Sequence, residues 1–430
     1  MQHPPLAGTD AQAADRSIPR RFAALDGVRG IAIAVVLIYH FFGYAAIDIG
    51  DPGPTLDRVF HEITGAGWVG VDLFFVLSGF LITGILAQAK LRGGHYFRTF
   101  YSRRTLRIFP AHYVYLLLLF LLVPLLAPSA TAVVDGLAED RWWFLTFTGN
   151  ILVVVHGVSR PSLFVTGHLW SLGIEEQFYL TWPALVLLLS TRNLMKACVM
   201  IIALALTLRV AMTAGGVEGY VSLTLTPARM DSFAIGALIA LALRDPRDFT
   251  MLHRFLPGLA VAAAVSVAVM AIANGGLDAL DRSSYTIGYT LIALAFGGLV
   301  LSAITSRQGT NAYHLLTLPV LTSAGRYSYA MYLVHLPIAW LLYQRTDLAA
   351  DMPTLAGSHL PGETLFALTA LVPTFVLAWL SWRLVETPFL KLKDRFSDQS
   401  ATEPEQPSQS GSSIVSSTRR VSSPEAAEDA

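Results

Sequence analysis

Between Val28 and Ile47 the chain is almost wholly apolar and long enough to cross a bilayer as one helix, yet it carries Arg29 at its start and His40 well inside. Eleven residues separate these two side chains. On an α-helix they therefore lie within roughly 20° of the same face and about 16 Å apart along the axis. That face presents a cation near the membrane surface and a titratable imidazole deep in the slab. Ionisable groups are disfavoured in lipid without a partner or a task, so the pattern points to function. The simpler reading makes Arg29 an interfacial anchor whose stem lies along apolar surface, and His40 a hydrogen-bonding contact to a neighbouring helix. This stretch alone leaves both readings open.

The rest of the chain has the same character. Of its 430 residues 54% are hydrophobic and only 14% charged, and the mean hydropathy is +0.54. Such a composition implies an all-α polytopic membrane protein rather than a soluble domain. Lys and Arg together match Asp and Glu at 30 each, so charge gives no sign of a nucleic-acid partner and none is expected. The one cysteine, Cys198, excludes an internal disulfide and a multi-cysteine metal site, and no metal is expected. No apolar h-region precedes the first span, so a cleavable signal peptide is not expected.

Hydropathy places further spans at about 67–87, 111–127, 168–189, 197–214, 229–243, 255–274, 286–305, 325–344 and 365–385. Residues 144–155 are apolar but too short to cross easily and read as a re-entrant or interfacial piece. Charge supports leaving them out. The loop with Lys90, Arg92, Arg98, Arg103, Arg104 and Arg107 is the most basic and should be cytoplasmic, and on a count of ten spans the later basic groups fall on that same side. Both termini are then cytoplasmic. The expected organisation is a polar lead-in over residues 1–21, a membrane domain over 22–396, and a Ser-, Glu- and Pro-rich disordered tail over 397–430.

Several polar groups sit at membrane depth. Asp72 opens the second span and needs a cation or a helix N-terminus as partner, while Ser78 and Gly79 in its middle suit the close approach of another helix. Arg104 and Arg107, three residues apart, point to one side of a helix; they are either topological charge or an anion clamp whose guanidinium forks match phosphate oxygens. The run GHLWSLGIEEQFYLTWP gathers His168, Glu175 and Glu176 within a few turns, at what reads as the outer end of a span. Arg209 lies inside a span, and Arg229 and Asp231 at the start of the next, where each calls for a partner across the bundle. Tyr329, Tyr332 and His335 step by three and share a helix face that could line one cavity with His40; His335 is equally readable as a satisfied core histidine.

Taken together, LDGVRGIA with YHF, GVDLFFVLSGFLI, FYSRRTLRIFPAHY, GHLWSLGIEEQFYLTWP, SYAMYLVHLPI and VETPF resemble, in order, the acyltransferase-3 family of bacterial integral-membrane acyltransferases. The resemblance spans residues 25 to about 395. It implies a ten-helix enzyme of the cytoplasmic (inner) membrane that moves an acyl group, commonly acetyl, from cytoplasmic acyl-CoA to a hydroxyl of a glycan or lipid-linked sugar. The family's first-span Arg and His fall on Arg29 and His40, its R-x-x-R pair on Arg104 and Arg107, and its W-S-L-x-x-E acid on Glu175. On this reading Arg29, Arg104 and Arg107 grip the phosphates of coenzyme A, His40 takes the acceptor's proton, and Glu175 orients His40 or binds the acceptor. Family members that carry a soluble esterase-like domain extend beyond the bundle; here a polar tail follows, so the form without it is expected. A secondary transporter or flippase of lipid-linked sugars is the alternative, but no inverted repeat or matched pair of broken helices supports it. Oligomeric state is not readable.

Overall fold

The computed structural model describes residues 23–47, 49, 53–346 and 353–392, so the predicted lead-in over 1–21 and tail over 397–430 lie outside the described residues. Within them the chain is helical, and no β-strand is present among the described residues. The first half holds α1 (Ala23–Ala45), α2 (Thr55–Gly65), α3 (Gly70–Arg92), α4 (Tyr96–Leu126), α5 (Thr131–Leu145), α6 (Gly149–His156), α7 (Leu163–Thr166) and α8 (Leu169–Leu188). There follow α9 (Thr191–Ala214), α10 (Gly219–Thr224), α11 (Met230–Ala242), α12 (Pro246–Asn274), α13 (Tyr289–Thr305), α14 (Asn311–Leu316), α15 (Pro319–Tyr343), α16 (Leu360–Ser381) and α17 (Thr387–Lys391). Local signals account for many boundaries. Helix α12, for example, starts on Asp245, whose side chain accepts from Arg247 N at 2.8 Å, with Pro246 in the first turn, and stops at Gly275 in the left-handed region with φ 70°.

Seven helical stretches are long and apolar enough to cross a membrane: Ala23–Ala45, Thr55–Arg92, Tyr96–Leu126, Thr191–Ala214, Pro246–Asn274, Ser284–Thr305 and Leu360–Lys391. The chain is an all-α, multi-pass membrane protein. The other three expected spans fall on α8, α11 and α15, which carry Glu175 and Glu176, Asp231, and His335. Helix α11 is mostly buried within the bundle and α8 and α15 are about half buried, whereas α9 and α12 expose apolar side chains along most of their length. The polar groups are thus concentrated where protein, not lipid, surrounds them.

One sequence expectation is corrected. The basic segment before the third span is not a loop: α4 begins at Tyr96 and runs through Pro110 to Leu126, so Arg98, Arg103, Arg104 and Arg107 ride on its first turns. Arginines mask hydropathy without breaking a helix, and bundle packing tolerates an interior proline. Residues 144–155 comprise the end of α5, a turn with Phe147 at φ 56°, and the eight-residue α6. Eight residues rise only about 12 Å.

Two glycine seams set the core. Helix α3 crosses α11 where a Cβ on Gly79 would overlap the Phe233 carbonyl and one on Gly236 the Val76 carbonyl. Helix α1 meets α15 where a Cβ on Gly325 would overlap the Asp26 carbonyl and one on Gly30 the Leu321 carbonyl. Backbone lies on backbone, the small-residue packing that associates helices in lipid.

Four buried charges tie α3, α9 and α11 together, and α13 joins through a hydroxyl. Arg229 Nη2 donates to Asp72 Oδ1 at 2.7 Å, and Arg209 Nη2 to Asp231 Oδ2 at 2.9 Å; all four side chains are fully buried. Asp72 also accepts from Ser232 Oγ at 3.0 Å, and Asp231 from Thr290 Oγ1 at 2.6 Å. Removing one partner leaves a buried charge alone, which costs about 3–5 kcal/mol. Asp231→Ala is accordingly expected to lower stability by about that amount in denaturant titration of the detergent-solubilised protein. Gly325→Leu is expected to abolish the folded, monodisperse peak in gel filtration; a normal peak would contradict the interlocked seam.

Candidate active site

Helix α1 holds Arg29 and His40 on one continuous rod, and the α1–α15 seam brings His40 against His335. His335 Nδ1 lies 2.7 Å from the Tyr332 carbonyl oxygen and must carry a hydrogen to donate there, so its Nε2 is the lone pair of the neutral ring. That Nε2 is 3.2 Å from His40 Nδ1, which is itself 3.0 Å from the Val36 carbonyl oxygen. Two acceptors on one nitrogen fix His40 as the Nδ1–H tautomer. Its Nε2 is left a lone pair without a hydrogen-bond partner among the described residues. The tautomer is thus set by a backbone carbonyl and a second histidine, the orienting role that a carboxylate serves in other sites.

His168 completes the cluster, its ring centroid 5.0 Å from that of His335. Its Nε2 is 3.1 Å from the Leu333 carbonyl oxygen, so it donates there. Tyr332 OH donates to the His168 carbonyl at 3.0 Å and sits 2.5 Å from Ser171 Oγ, which pins the start of α8 to α15. Beside these rings opens a cavity of about 360 Å³ bounded by His40, His168, Arg229, Tyr332, Trp68 and Trp170.

Glu175 stands elsewhere. Seven residues along α8 from His168, about 10 Å of rise, it forms no hydrogen bond to His40. Its Oε1 accepts from Ser78 Oγ and, at 2.7 Å, from Tyr179 OH. The guanidinium of Arg104 lies over the Tyr179 ring, 4.7 Å from its centroid. The sequence places Glu175 and His168 together at an outer helix end. The structure separates them along α8: His168 precedes its first residue, whereas Glu175 lies about two turns further on, toward the end where Lys90 Nζ donates to the Leu189 carbonyl at 2.7 Å. Tyr179 was missed on the sequence, although its spacing of four from Glu175 puts it on the same helix face.

The arginines gather near Glu175. Arg104 and Arg107 both lie within electrostatic reach of Arg29, whose guanidinium donates to Asp26 at 3.2 Å. Arg29 and Arg104 are half-buried and Arg107 is exposed, so the cluster reaches the protein surface. Three neighbouring guanidinium groups suit a polyanionic ligand. Asp72, Arg229 and Asp231 form the ion pairs described above; Arg229 alone among them also borders the cavity. Among the described residues no group of three or more His, Cys, Asp or Glu side chains is arranged to hold a metal ion.

The bundle thus sets an imidazole cluster beside a cavity and gathers three arginines at a separate level. The chain belongs to the acyltransferase-3 family: residues 22–383 match its acyltransferase domain. It is 28% identical over 387 residues to the peptidoglycan O-acetyltransferase OatA of Listeria monocytogenes, covering 86% of this chain and 56% of that protein. The O-acetyltransferase OatA of Staphylococcus aureus is 24% identical over 398 residues, with 87% and 58% covered. The putative peptidoglycan O-acetyltransferase YrhL of Bacillus subtilis is 26% identical over 387 residues, with 86% and 55% covered. The chain thus spans little more than half the length of these relatives. No solved structure matches it.

The tautomer assignment is testable without substrate. Nitrogen NMR on protein labelled in histidine is expected to show His40 and His335 protonated at Nδ1 and not at Nε2. A His40 resonance from a protonated Nε2 would overturn the assignment.

Proposed function

We propose that this protein is an O-acyltransferase of the bacterial cytoplasmic membrane that moves an acyl group, acetyl by preference, from cytoplasmic acyl-CoA to a hydroxyl of a cell-envelope glycan. The observation that carries the reading is the unpartnered Nε2 of His40 beside a cavity, on the same helix face as Arg29 and the cationic rim. The axial separation of about 16 Å between them is of the order of the pantetheine arm. Arg29, Arg104 and Arg107 hold the phosphates, and the thioester reaches the level of His40. The bundle crosses the membrane ten times with both termini cytoplasmic, which puts the rim inside and the cavity outside.

In the reaction His40 Nε2 takes the acceptor hydroxyl's proton as that oxygen bonds to the thioester carbon. The carbon–sulfur bond then breaks, and the thiolate takes the proton back from Nε2 to leave as the thiol of coenzyme A. His335 Nε2 and the Val36 carbonyl hold the ring in orientation and stabilise the imidazolium between these steps. Glu175 acts at the inner end: with Ser78 and Tyr179 it sets the position of Arg104 and hence of the donor. The glycan acceptor is read from the names of the relatives, two of which specify peptidoglycan.

The test is acyl transfer in proteoliposomes, with labelled acetyl-CoA on one face and cell-wall glycan fragments on the other. His40→Ala is expected to cut transfer by about 10²–10⁴-fold, the range for loss of a general base. Arg104→Gln is expected to raise the donor KM about tenfold, the worth of one charge-assisted hydrogen bond, with a smaller change in kcat. Full transfer by a normally inserted His40→Ala protein would refute the role given to His40.

A further inference from the structure

The cavity wall contains two polar groups that the transfer reaction does not use. Arg229 is fully buried and gives only Nη2 to Asp72; its Nε and Nη1 have no hydrogen-bond partner. The guanidinium carbon lies over the Tyr289 ring, 3.7 Å from the centroid, a contact that satisfies none of those N–H groups. His168, 2% exposed, donates through Nε2 to Leu333, so its Nδ1 is a lone pair, and that atom too is buried without a partner. Both residues border the same cavity as His40. Unmade hydrogen bonds on buried groups are expensive, and here two residues that line one cavity hold a donor and an acceptor unpaired just beneath its surface.

The charges around them select the ligand. Arg229 and Arg209 are matched by Asp72 and Asp231, and at the cavity's rim Arg160 is held by both Asp140 and Glu139. The wall has no surplus positive charge, so an anion would enter a dry site uncompensated. A neutral carbonyl oxygen, with two lone pairs and no hydrogen to place, fits the free N–H groups of Arg229. A neighbouring N–H fits His168 Nδ1. One functional group offers both, the secondary amide. Building on the acyl-transfer reading, we propose that Arg229 and His168 form an amide-binding subsite beside His40, which holds the acceptor through the acylamido group of an N-acylated amino sugar. Trp68 and Trp170 supply aromatic wall for the sugar ring. The pantetheine arm of the donor also carries amides, and the same chemistry could be met from that side.

Trp68 and Trp170 make binding visible, since two of the eight tryptophans border the cavity. The purified full-length protein would be titrated by intrinsic fluorescence with the N-acetylglucosamine tetramer, with cellotetraose of equal length but no amide, and with pantetheine. Saturable quenching by the N-acetylated oligomer, at least tenfold tighter than by cellotetraose, is expected. A response to pantetheine alone would keep the amide and assign it to the donor. Equal responses to the two sugars, or none to any of the three probes, would overturn the subsite. Arg229→Lys keeps a cation for Asp72 but loses the free guanidinium N–H groups, and is expected to weaken the amide-dependent binding at least tenfold; unchanged binding would also overturn it. The wild-type comparison stands even if that variant fails to fold. Transfer assays run in parallel separate the two claims: acyl transfer without amide preference sinks the subsite alone, and amide binding without transfer sinks the acyltransferase reading alone.

Discussion

Everything in this bundle depends on keeping charge out of lipid while holding it at membrane depth. The ion pairs Asp72–Arg229 and Arg209–Asp231 are where that constraint is met most severely, with four ionised groups and no exposed surface. A lone charge there would be prohibitive, so the elements that carry them cannot separate once folded. The consequence is architectural. Helix α11, only 13 residues long, is anchored at its start to α3 and α9 by charge and is locked lower down to α3 by glycine. This pins Arg229, the residue just before α11, in the lining of the cavity.

Much of this was legible in the residues. Apolar windows located the long helices, and Gly79 announced a close helix contact that proved to be with α11. The need of Asp72, Arg229 and Asp231 for partners followed from the cost of burying charge, and pairing did follow; which residue pairs with which did not, because α3, α9 and α11 are far apart in sequence. The grouping of Glu175 with His168 misled for a geometric reason. Seven residues look adjacent in a sequence, but along a helix they span a third of a bilayer, so one run of polar residues serves two ends of the bundle. The identity of the atom that is free on His40 was beyond sequence altogether, since it is decided by a carbonyl four residues back and by a ring from α15.

The pairing of His40 with His335 also distinguishes this arrangement from one oriented by a carboxylate. A neutral imidazole accepts from His40 without adding negative charge to an apolar interior, so the site gains orientation without a further buried ion. The carboxylate of the W-S-L-x-x-E run, Glu175, lies instead near the Arg104 guanidinium and bonds to Tyr179. Carboxylate and imidazole cluster thus sit at different levels of the bundle.

The glycine seams and the outer segments differ in how they are held. Along α1 and α15 backbone meets backbone, and no sliding is compatible with Gly30 and Gly325 in contact. The segments beside the cavity are tied by hydrogen bonds from side chain to backbone, Trp68 Nε1 to the Leu277 carbonyl at 2.8 Å, Tyr289 OH to the Ala279 carbonyl at 2.8 Å and Tyr44 OH to the Phe164 carbonyl at 2.5 Å, and Trp68, Leu277, Ala279 and Tyr289 also pack as one apolar cluster. The register of His40 against His335 is therefore fixed by main chain: sliding α1 along α15 would drive backbone into backbone before it could part the two rings.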